Sequence, residues 1–337
     1  MIEKAETGLR YRTRFVTLFP DCTNTELIKD VGQIPYWLTK NFGVDAVLVS
    51  SKIELEGEYV SEIPELEIKR IPKFLGSYKL AGFVYILLNA KRIDWLNLYH
   101  FNRCSLYWGK LYKLLNKEGK IYRKLDLDYR SCNEIREDKQ KRRIFQSCVE
   151  QADLASAESE SVILQLKKYT KKLEHIPDGY FNSTKTESRG NTKQNIFLTV
   201  GRLGSRQKAT EVLLRAFVKT TEKHDWKLVL AGNLKESFKE YIVRFYHAYP
   251  SMRERILFVG QVCSREKLYE MYDTAKVMIL PSRWESFGIV LAEALSRGCR
   301  IIGTEEIPPI KELTNNGKYG YVVSADDIDG LAKAMLA

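Results

Sequence analysis

"VMILPSRWESFGIVLAEALSRGCRIIGT" (277–304) begins with an apolar run that stops at Pro-Ser and ends with a glycine break before a second apolar run. Between the two runs lies a stretch with the composition of a helix. Glu285 stands just before it and Glu293 two turns inside it, eight positions apart. A surface helix scatters acids freely, so the spacing alone proves little. The order strand, turn, helix, strand says more, because a strand that returns through a helix to a neighbouring strand implies a parallel sheet with a right-handed crossover. Open sheets of that kind hold ligands outside the carboxyl ends of their strands. The two glutamates lie at such an end.

The same alternation extends outward in both directions. Upstream lie strand "IFLTVGRL", helix "TEVLLRAFVKTT", strands "WKLVLAG" and "RILFVGQV", and helix "EKLYEMYDTA". The first half reads likewise, with strands in "RFVTLFP" (14–20), "DAVLVS" (45–50), "LEIKRIP" (66–72), "DWLNLYHF" (94–101), "KIYRKLDLD" (120–128) and "ADLASAES" (152–159). Helical stretches fall at 30–43 and 103–119. "HIPDGYFNSTKTESRGNTKQN" (175–195) interrupts the pattern with Pro, Gly, Ser, Thr and Asn, the composition of a linker. The expectation is an N-terminal Rossmann-like domain over 1–182, a linker over 183–194 and a C-terminal Rossmann-like domain over 195–337, the two facing a central cleft.

A chain of 337 residues is long enough for two cores. No stretch reaches the eighteen apolar residues of a membrane span, and the N-terminus is too charged for a signal peptide. Six cysteines show no metal-ligand spacing, and most lie in or beside apolar stretches, which points to reduced thiols in a cytoplasmic protein. No metal and no cofactor are expected. The net charge of +11 asks for an anionic partner. Residues 110–143 carry twelve Lys or Arg against six Asp or Glu, with Tyr107, Trp108, Tyr112, Tyr122 and Tyr129 in and beside the same stretch. That mixture suits an anionic membrane surface or a phosphate-bearing substrate. Nucleic acid is not favoured, because no binding module accompanies the charge. The plainer reading is a solvated helical face.

Two motifs carry chemistry. In "TVGRLGSRQKAT" (199–210) a strand runs into a glycine-bearing loop with Arg202 and Lys208, and a helix follows. Cations beside a helix N-terminus make a socket for a diphosphate. The stretch is neither a dinucleotide fingerprint nor a P-loop. In the glutamate segment, the amides of Ser286, Phe287, Gly288 and Ile289 can meet the same phosphates, Glu293 can accept from a ribose diol, and Glu285 can hold sugar hydroxyls. A retaining glycosidase would need its carboxyls roughly 5 Å apart, whereas eight helical residues rise about 12 Å.

These residues resemble family 4 of the retaining, nucleotide-sugar-dependent glycosyltransferases of GT-B fold, notably those of bacterial capsule and exopolysaccharide assembly. The marks are "VGRLGSRQKA", "LAG" (230–232), "FVGQV" (258–262) and the E-x7-E segment, with "HIPDGYF" similar to the family's IPNGVD element. The likeness covers about 175–330. It implies that Arg202 and Lys208 grip the donor diphosphate, that Glu293 binds ribose and Glu285 the donor sugar, and that the backbone by Val262 meets the base. In place of the family's Gly-Gly loop stands Gly32 alone, a candidate for approaching the donor phosphates. Where many members place a histidine facing the donor sugar, this chain has Asp126, with His100 one strand earlier as the other candidate. The implied function is transfer of a sugar to a glycan or lipid-diphosphate-linked acceptor, in the cytoplasm or at the inner face of the membrane. Because the catalytic side departs from the pattern, a binding partner that has lost catalysis is the alternative.

Overall fold

A computed structural model describes residues 12–57, 59–181 and 192–337. They fall into two compact units, Met1–Leu125 with Arg143–Ser156, and Asp126–Arg142 with Ala157–Ala337. Residues 182–191, which include most of the expected linker, lie outside the described residues.

The first sheet has seven strands: β1 (Arg14–Leu18), β2 (Asp45–Ser50), β3 (Glu67–Arg70), β4 (Trp95–Tyr99), β5 (Lys120–Leu125), β6 (Leu154–Ala157) and β7 (Leu173–His175). Their order is β3-β2-β1-β4-β5-β6-β7. The helices among them are α1 (Asp30–Phe42), α2 (Tyr78–Asn89), α3 (Arg103–Leu115), α4 (Tyr129–Glu137), α5 (Lys139–Gln151) and α6 (Glu160–Leu166). The second sheet comprises β8 (Gln194–Val200), β9 (Lys227–Ala231), β10 (Ile256–Gly260), β11 (Ala275–Leu280), β12 (Arg300–Thr304) and β13 (Gly320–Val323), in the order β10-β9-β8-β11-β12-β13. Its helices are α7 (Thr210–Val218), α8 (Lys239–Ala248), α9 (Arg265–Thr274), α10 (Ile289–Ser296), α11 (Ile310–Leu313) and α12 (Ile328–Leu336).

Every described ladder between these strands is parallel, as in Val16 opposite both Val47 and Leu96, and Met278 opposite both Leu198 and Ile301. Each sheet starts in its middle, winds outward to one edge and then crosses to the other side. The reversal leaves a crevice past the ends of β1 and β4 in one sheet, and past β8 and β11 in the other.

Parallel strands covered on both faces must be apolar on both. In the second sheet the period of two sends Phe197, Leu228, Leu230, Ile279 and Ile302 to one face, where they pack with Leu213 and Phe217 of α7 and Leu331 of α12. Leu198, Val229, Met278 and Ile301 face the other way, against Leu268 and Tyr272 of α9 and Leu291 of α10. Each such side chain contributes about 1.5–3 kcal/mol by leaving water, so this sandwich holds the crevice rigid.

The basic and aromatic stretch divides differently from the expectation of an aromatic surface. Trp108, Tyr112 and Tyr122 are buried, while Tyr107 is exposed. The Trp108 indole packs where a side chain on Gly82 would sit, and its N–H donates to Lys79 O at 3.1 Å. Tyr112 donates to Ile93 O at 2.7 Å. These rings fill the joint between α2, α3 and the sheet, where their area is worth more than at a surface. Of the lysines, Lys113 is tied to Asp153 at 2.9 Å, and Lys110 and Lys117 point outward. All six cysteines are free thiols. Among the described residues no helix is long and apolar enough to cross a membrane.

Candidate active site

The crevice of the second sheet is made by backbone before side chains. The Gly201 amide donates to Ala231 O at 2.9 Å and the Gly232 amide to Gly260 O at 2.7 Å, tying the ends of β8, β9 and β10 together. Gly232 has φ +135°, and a Cβ there would lie 1.8 Å from Gly201 O. Only glycine fits, which explains the "LAG" element.

Past β8, the loop that carries Arg202 and Lys208 is laced to the loop after β11. Arg202 is exposed and donates from Nη2 to Gln207 Oε1 at 2.6 Å. Gln207 donates to Trp284 O at 2.9 Å and accepts from the Arg283 amide at 2.8 Å. Arg283 is itself locked to Glu211 at 2.5 Å and Asp326 at 2.7 Å, and these hydrogen bonds raise its pKa against the smaller opposing effect of burial. Lys208 Nζ lies 2.5 Å from Glu285 Oε1, which also accepts from Ser282 Oγ at 2.7 Å. Ala209, next in the chain, sits in the left-handed region at φ +44°, an uncommon state for a residue with a Cβ. The structure therefore brings Lys208 and Glu285 into contact across 77 positions of sequence.

Glu285 precedes α10, whose N-cap Gly288 has φ +80°. The amides of Ser286, Phe287, Gly288 and Ile289 donate to no group among the described residues. Free first-turn amides with a lysine beside them form an anion socket. Removing one preorganised donor of this kind costs about 2.7–4 kcal/mol in transition-state stabilisation.

Glu293 is placed otherwise. Its side chain sits inside α10 and the residue is 4% exposed. Oε1 accepts from Arg265 Nη2 at 2.5 Å and Oε2 from the Tyr272 hydroxyl at 2.9 Å. Burial alone would lower the Arg265 pKa, and the Glu293 charge more than reverses it. Tyr272 is held far above its ordinary value by burial and then by the same carboxylate. In this conformation Glu293 joins α9 to α10, and a ribose diol would have to share an oxygen already in use. The sequence reading had no Arg265 or Tyr272; neither position carries a signal of pairing with a residue more than twenty positions away.

Val262 lines a separate groove of about 790 Å³ with Gln261, Cys263, Ser264 and Lys267 over Val229 and Val259. Arg202, Lys208, Glu285 and Glu293 are not among its walls.

Asp126 is exposed, one residue past β5, and belongs to the second unit. Asp128 nearby caps α4: Oδ1 accepts from the Ser131 amide and hydroxyl, each at 2.7 Å, and Oδ2 from Arg130 at 2.7 Å. Burial pushes its pKa up, and these bonds together bring it below the usual range. The Arg130 guanidinium lies over the Trp284 ring at 4.0 Å, so within the second unit the Asp126–Arg130 segment adjoins the Glu285 loop. Arg130 and Trp284 were not anticipated, since a cation and a ring 154 positions apart leave no local pattern.

Gly32 lies in the first turn of α1, buried, and a Cβ on it would be 2.2 Å from Leu27 O. Its small size thus serves a close backbone approach within the first unit. His100, at the end of β4, has φ +59°. Its amide donates to Lys124 O at 3.1 Å, and its carbonyl accepts from Arg123 Nη1 at 3.0 Å. It lines a cleft of about 760 Å³ at the crevice of the first sheet, a different unit from Glu285 and Asp126.

Known proteins resemble this chain in sequence and in fold. The family profile "Glycosyl transferases group 1" matches residues 181–337. An uncharacterized glycosyltransferase of Methanocaldococcus jannaschii, MJ1607, is 32% identical over 138 residues, which are 40% of this chain and 34% of that protein. N-acetyl-alpha-D-glucosaminyl L-malate synthase of Bacillus anthracis is 27% identical over 197 residues, 55% of this chain and 49% of the synthase. The matches thus span between a third and a half of these relatives. Among solved structures, Anabaena Alr3699/HepE in complex with UDP and glucose superposes with a TM-score of 0.71 at 14% identity, over 96% of this chain and 89% of that one. The fold of the chain is accordingly that of GT-B glycosyltransferases, two Rossmann-like parallel-sheet domains, and its residues 181–337 are similar in sequence to the glycosyl transferases group 1.

Proposed function

We propose that the protein is a retaining glycosyltransferase of family 4 that moves a sugar from a nucleotide-diphospho-sugar to a glycan or lipid-linked acceptor in polysaccharide biosynthesis. One observation carries the reading: Lys208, paired with Glu285, stands beside the unused amides of 286–289 at the reversal point of the second sheet. Departure of a diphosphate concentrates negative charge on the leaving oxygen. A lysine, an exposed Arg202 and fixed N–H dipoles stabilise that charge more than they stabilise the bound donor. Glu285, already oriented by Ser282 and Lys208, is the group to meet the sugar. Asp126 and His100 remain the candidates for the face opposite the leaving group, and the base is assigned to the backbone at Val262. No cofactor or metal enters the scheme.

A thermal-shift panel of nucleoside diphosphates and their sugars tests it, with UDP first because a neighbour in fold is solved with it. A ligand at a hundred times its Kd stabilises the native state by about 2.7 kcal/mol. A chain that answers to no member of the panel is not a nucleotide-sugar enzyme. The second reading, a binding partner without catalysis, draws on the internally satisfied Glu293 and the structural Gly32. Nucleotide binding without transfer or hydrolysis across donors and acceptors would select it.

Peripheral contact with an anionic membrane belongs to the same proposal, now resting on Lys110 and Lys117 rather than on Trp108. Each well-placed cation contributes about 1 kcal/mol. Lys110→Glu with Lys117→Glu should abolish salt-sensitive sedimentation with anionic vesicles, and equal partitioning to neutral vesicles would discard the membrane.

A further inference from the structure

Arg130 takes no part in the chemistry proposed so far, yet two kinds of contact meet on its guanidinium. Its edge faces Asp128, with Nε and Nη2 donating to Oδ2 at 2.9 and 2.7 Å. Its face lies over the Trp284 ring at 4.0 Å. A guanidinium can do both at once, because its donors lie in its plane and it stacks through its flat side. A lysine ammonium has to divide itself between the carboxylate and the ring.

Both partners are themselves fixed. Asp128 is buried, and its other oxygen is taken by the Ser131 amide and hydroxyl. Trp284 O accepts from Gln207, and the Arg283 amide donates to Gln207 O at 2.8 Å. Glu285, next in the chain, is held by Ser282 and Lys208. The backbone of 282–285 is therefore anchored to the Lys208 loop, while the Trp284 ring reaches the other way, to α4 of the same unit. Arg130 is 56% exposed along its side chain, so its ion pair adds little stability. Holding a long side chain between two partners also opposes its rotamer entropy. What the arrangement does fix is the relation of two segments. Asp126 stands two residues before Asp128, and Glu285 directly follows Trp284.

We infer that Arg130 is a positioning residue, a planar link between Asp128 and Trp284 that holds the Asp126 segment in a fixed relation to the Glu285–Lys208 pair. Its part in turnover rests on the glycosyltransferase reading; the coupling of the two segments does not. The link requires no contact between Arg130 and the donor. Its loss should therefore slow the reaction of bound donor and leave donor binding nearly unchanged.

Amide-resolved hydrogen exchange of the full chain, without ligand, reads the coupling from both ends. Arg130→Met keeps the length of the side chain and removes the planar cation. It should quicken exchange of the Arg283 amide at least about threefold, with Arg130→Lys between Met and wild type. In the other direction, Trp284→Phe should quicken the Ser131 and Cys132 amides, which Asp128 holds at the start of α4. Tm should stay within about 3 °C of wild type for the Arg130 variants, because the residue is exposed. A merely local role for Arg130 predicts faster exchange in α4 alone after Arg130→Met, and no effect of Trp284→Phe on Ser131 and Cys132; that result overturns the inference. UDP release from UDP-glucose, taken as the probe donor, reads turnover. Arg130→Met should lower kcat about five- to tenfold with KM within about twofold, and Arg130→Lys should recover part of the loss. A kcat equal to wild type, or a loss confined to KM, overturns the positioning role. If the wild type consumes no UDP-glucose while exchange behaves as expected, that donor falls and the coupling stands. If UDP-glucose is consumed and exchange is unaltered across the two segments, the glycosyltransferase reading stands and the coupling falls.

Discussion

The two sheets share one plan and treat charge in opposite ways. Both start at a central strand, wind outward and reverse, so both offer a crevice at the same topological point. In the second sheet the cations at and around that point have acidic or amide partners: Lys208 with Glu285, Arg202 with Gln207, Arg283 with Glu211 and Asp326, Arg265 with Glu293. In the first, Arg123 is buried among neutral acceptors, and Lys79 and Arg103 make no ion pair among the described residues. A shared fold therefore fixes where a ligand sits and leaves its charge to side chains. Under the proposed function, the prepaired crevice exchanges internal partners for a donor diphosphate.

The sharpest contrast is between the two buried arginines. Arg265→Ala removes one half of a buried pair and strands the Glu293 carboxylate, which should cost about 3–5 kcal/mol of stability. Arg123→Met strands no charge and leaves only carbonyl, hydroxyl and amide acceptors unpaired, so about 1–3 kcal/mol is expected. Urea denaturation of both variants checks the order; an equal or larger loss for Arg123→Met would mean that the first crevice is not electrostatically different. Next in size, Arg202→Ala or Lys208→Ala should lower kcat/KM for transfer by about 2–4 kcal/mol, or 30- to 1,000-fold. Steady-state rates near wild type would remove the phosphate socket from the second sheet.

Gly32→Ala tests whether that glycine serves the first unit's packing. The added methyl meets backbone at Leu27, so about 1–3 kcal/mol of destabilisation should follow even without any ligand. A variant of native stability but poor donor binding would return Gly32 to the phosphates. The smallest effect concerns Asp128, whose folded pKa lies below its unfolded value near 3.9. Its contribution is present above the unfolded pKa and is lost as pH falls through the folded one. Asp128→Asn keeps a capping side chain and loses the charge. The difference in Tm between the two proteins should be constant above about pH 5 and shrink steadily on acidification. A difference that grows toward low pH would contradict the assigned hydrogen bonds.

Much of the architecture was legible. Apolar runs such as "VMILPS" and "DAVLVS" became β11 and β2, because a strand buried on both faces must be apolar at every position. Less visible were α2 and α4. The first is apolar along much of its length, without a clear polar face, and the second is a short, strongly charged helix whose buried stripe is only Cys132 and Ile135.

The placement of Arg202, Lys208, Glu285 and Glu293 around strand ends was available from the sequence alone, since each lies within a few residues of a strand–turn–helix junction and local patterns report local geometry. Which of them would be free was not. Glu285 faces Lys208 and Glu293 faces Arg265 because separate segments close on one another when the sheet forms. Trp108 became core and Arg123 became an unmatched cation for the same reason. Residue type and period set which side chains can be buried or charged. Partners distant in the chain decide which are, because burial and Coulomb energy depend on separation in space and only the folded chain assigns it.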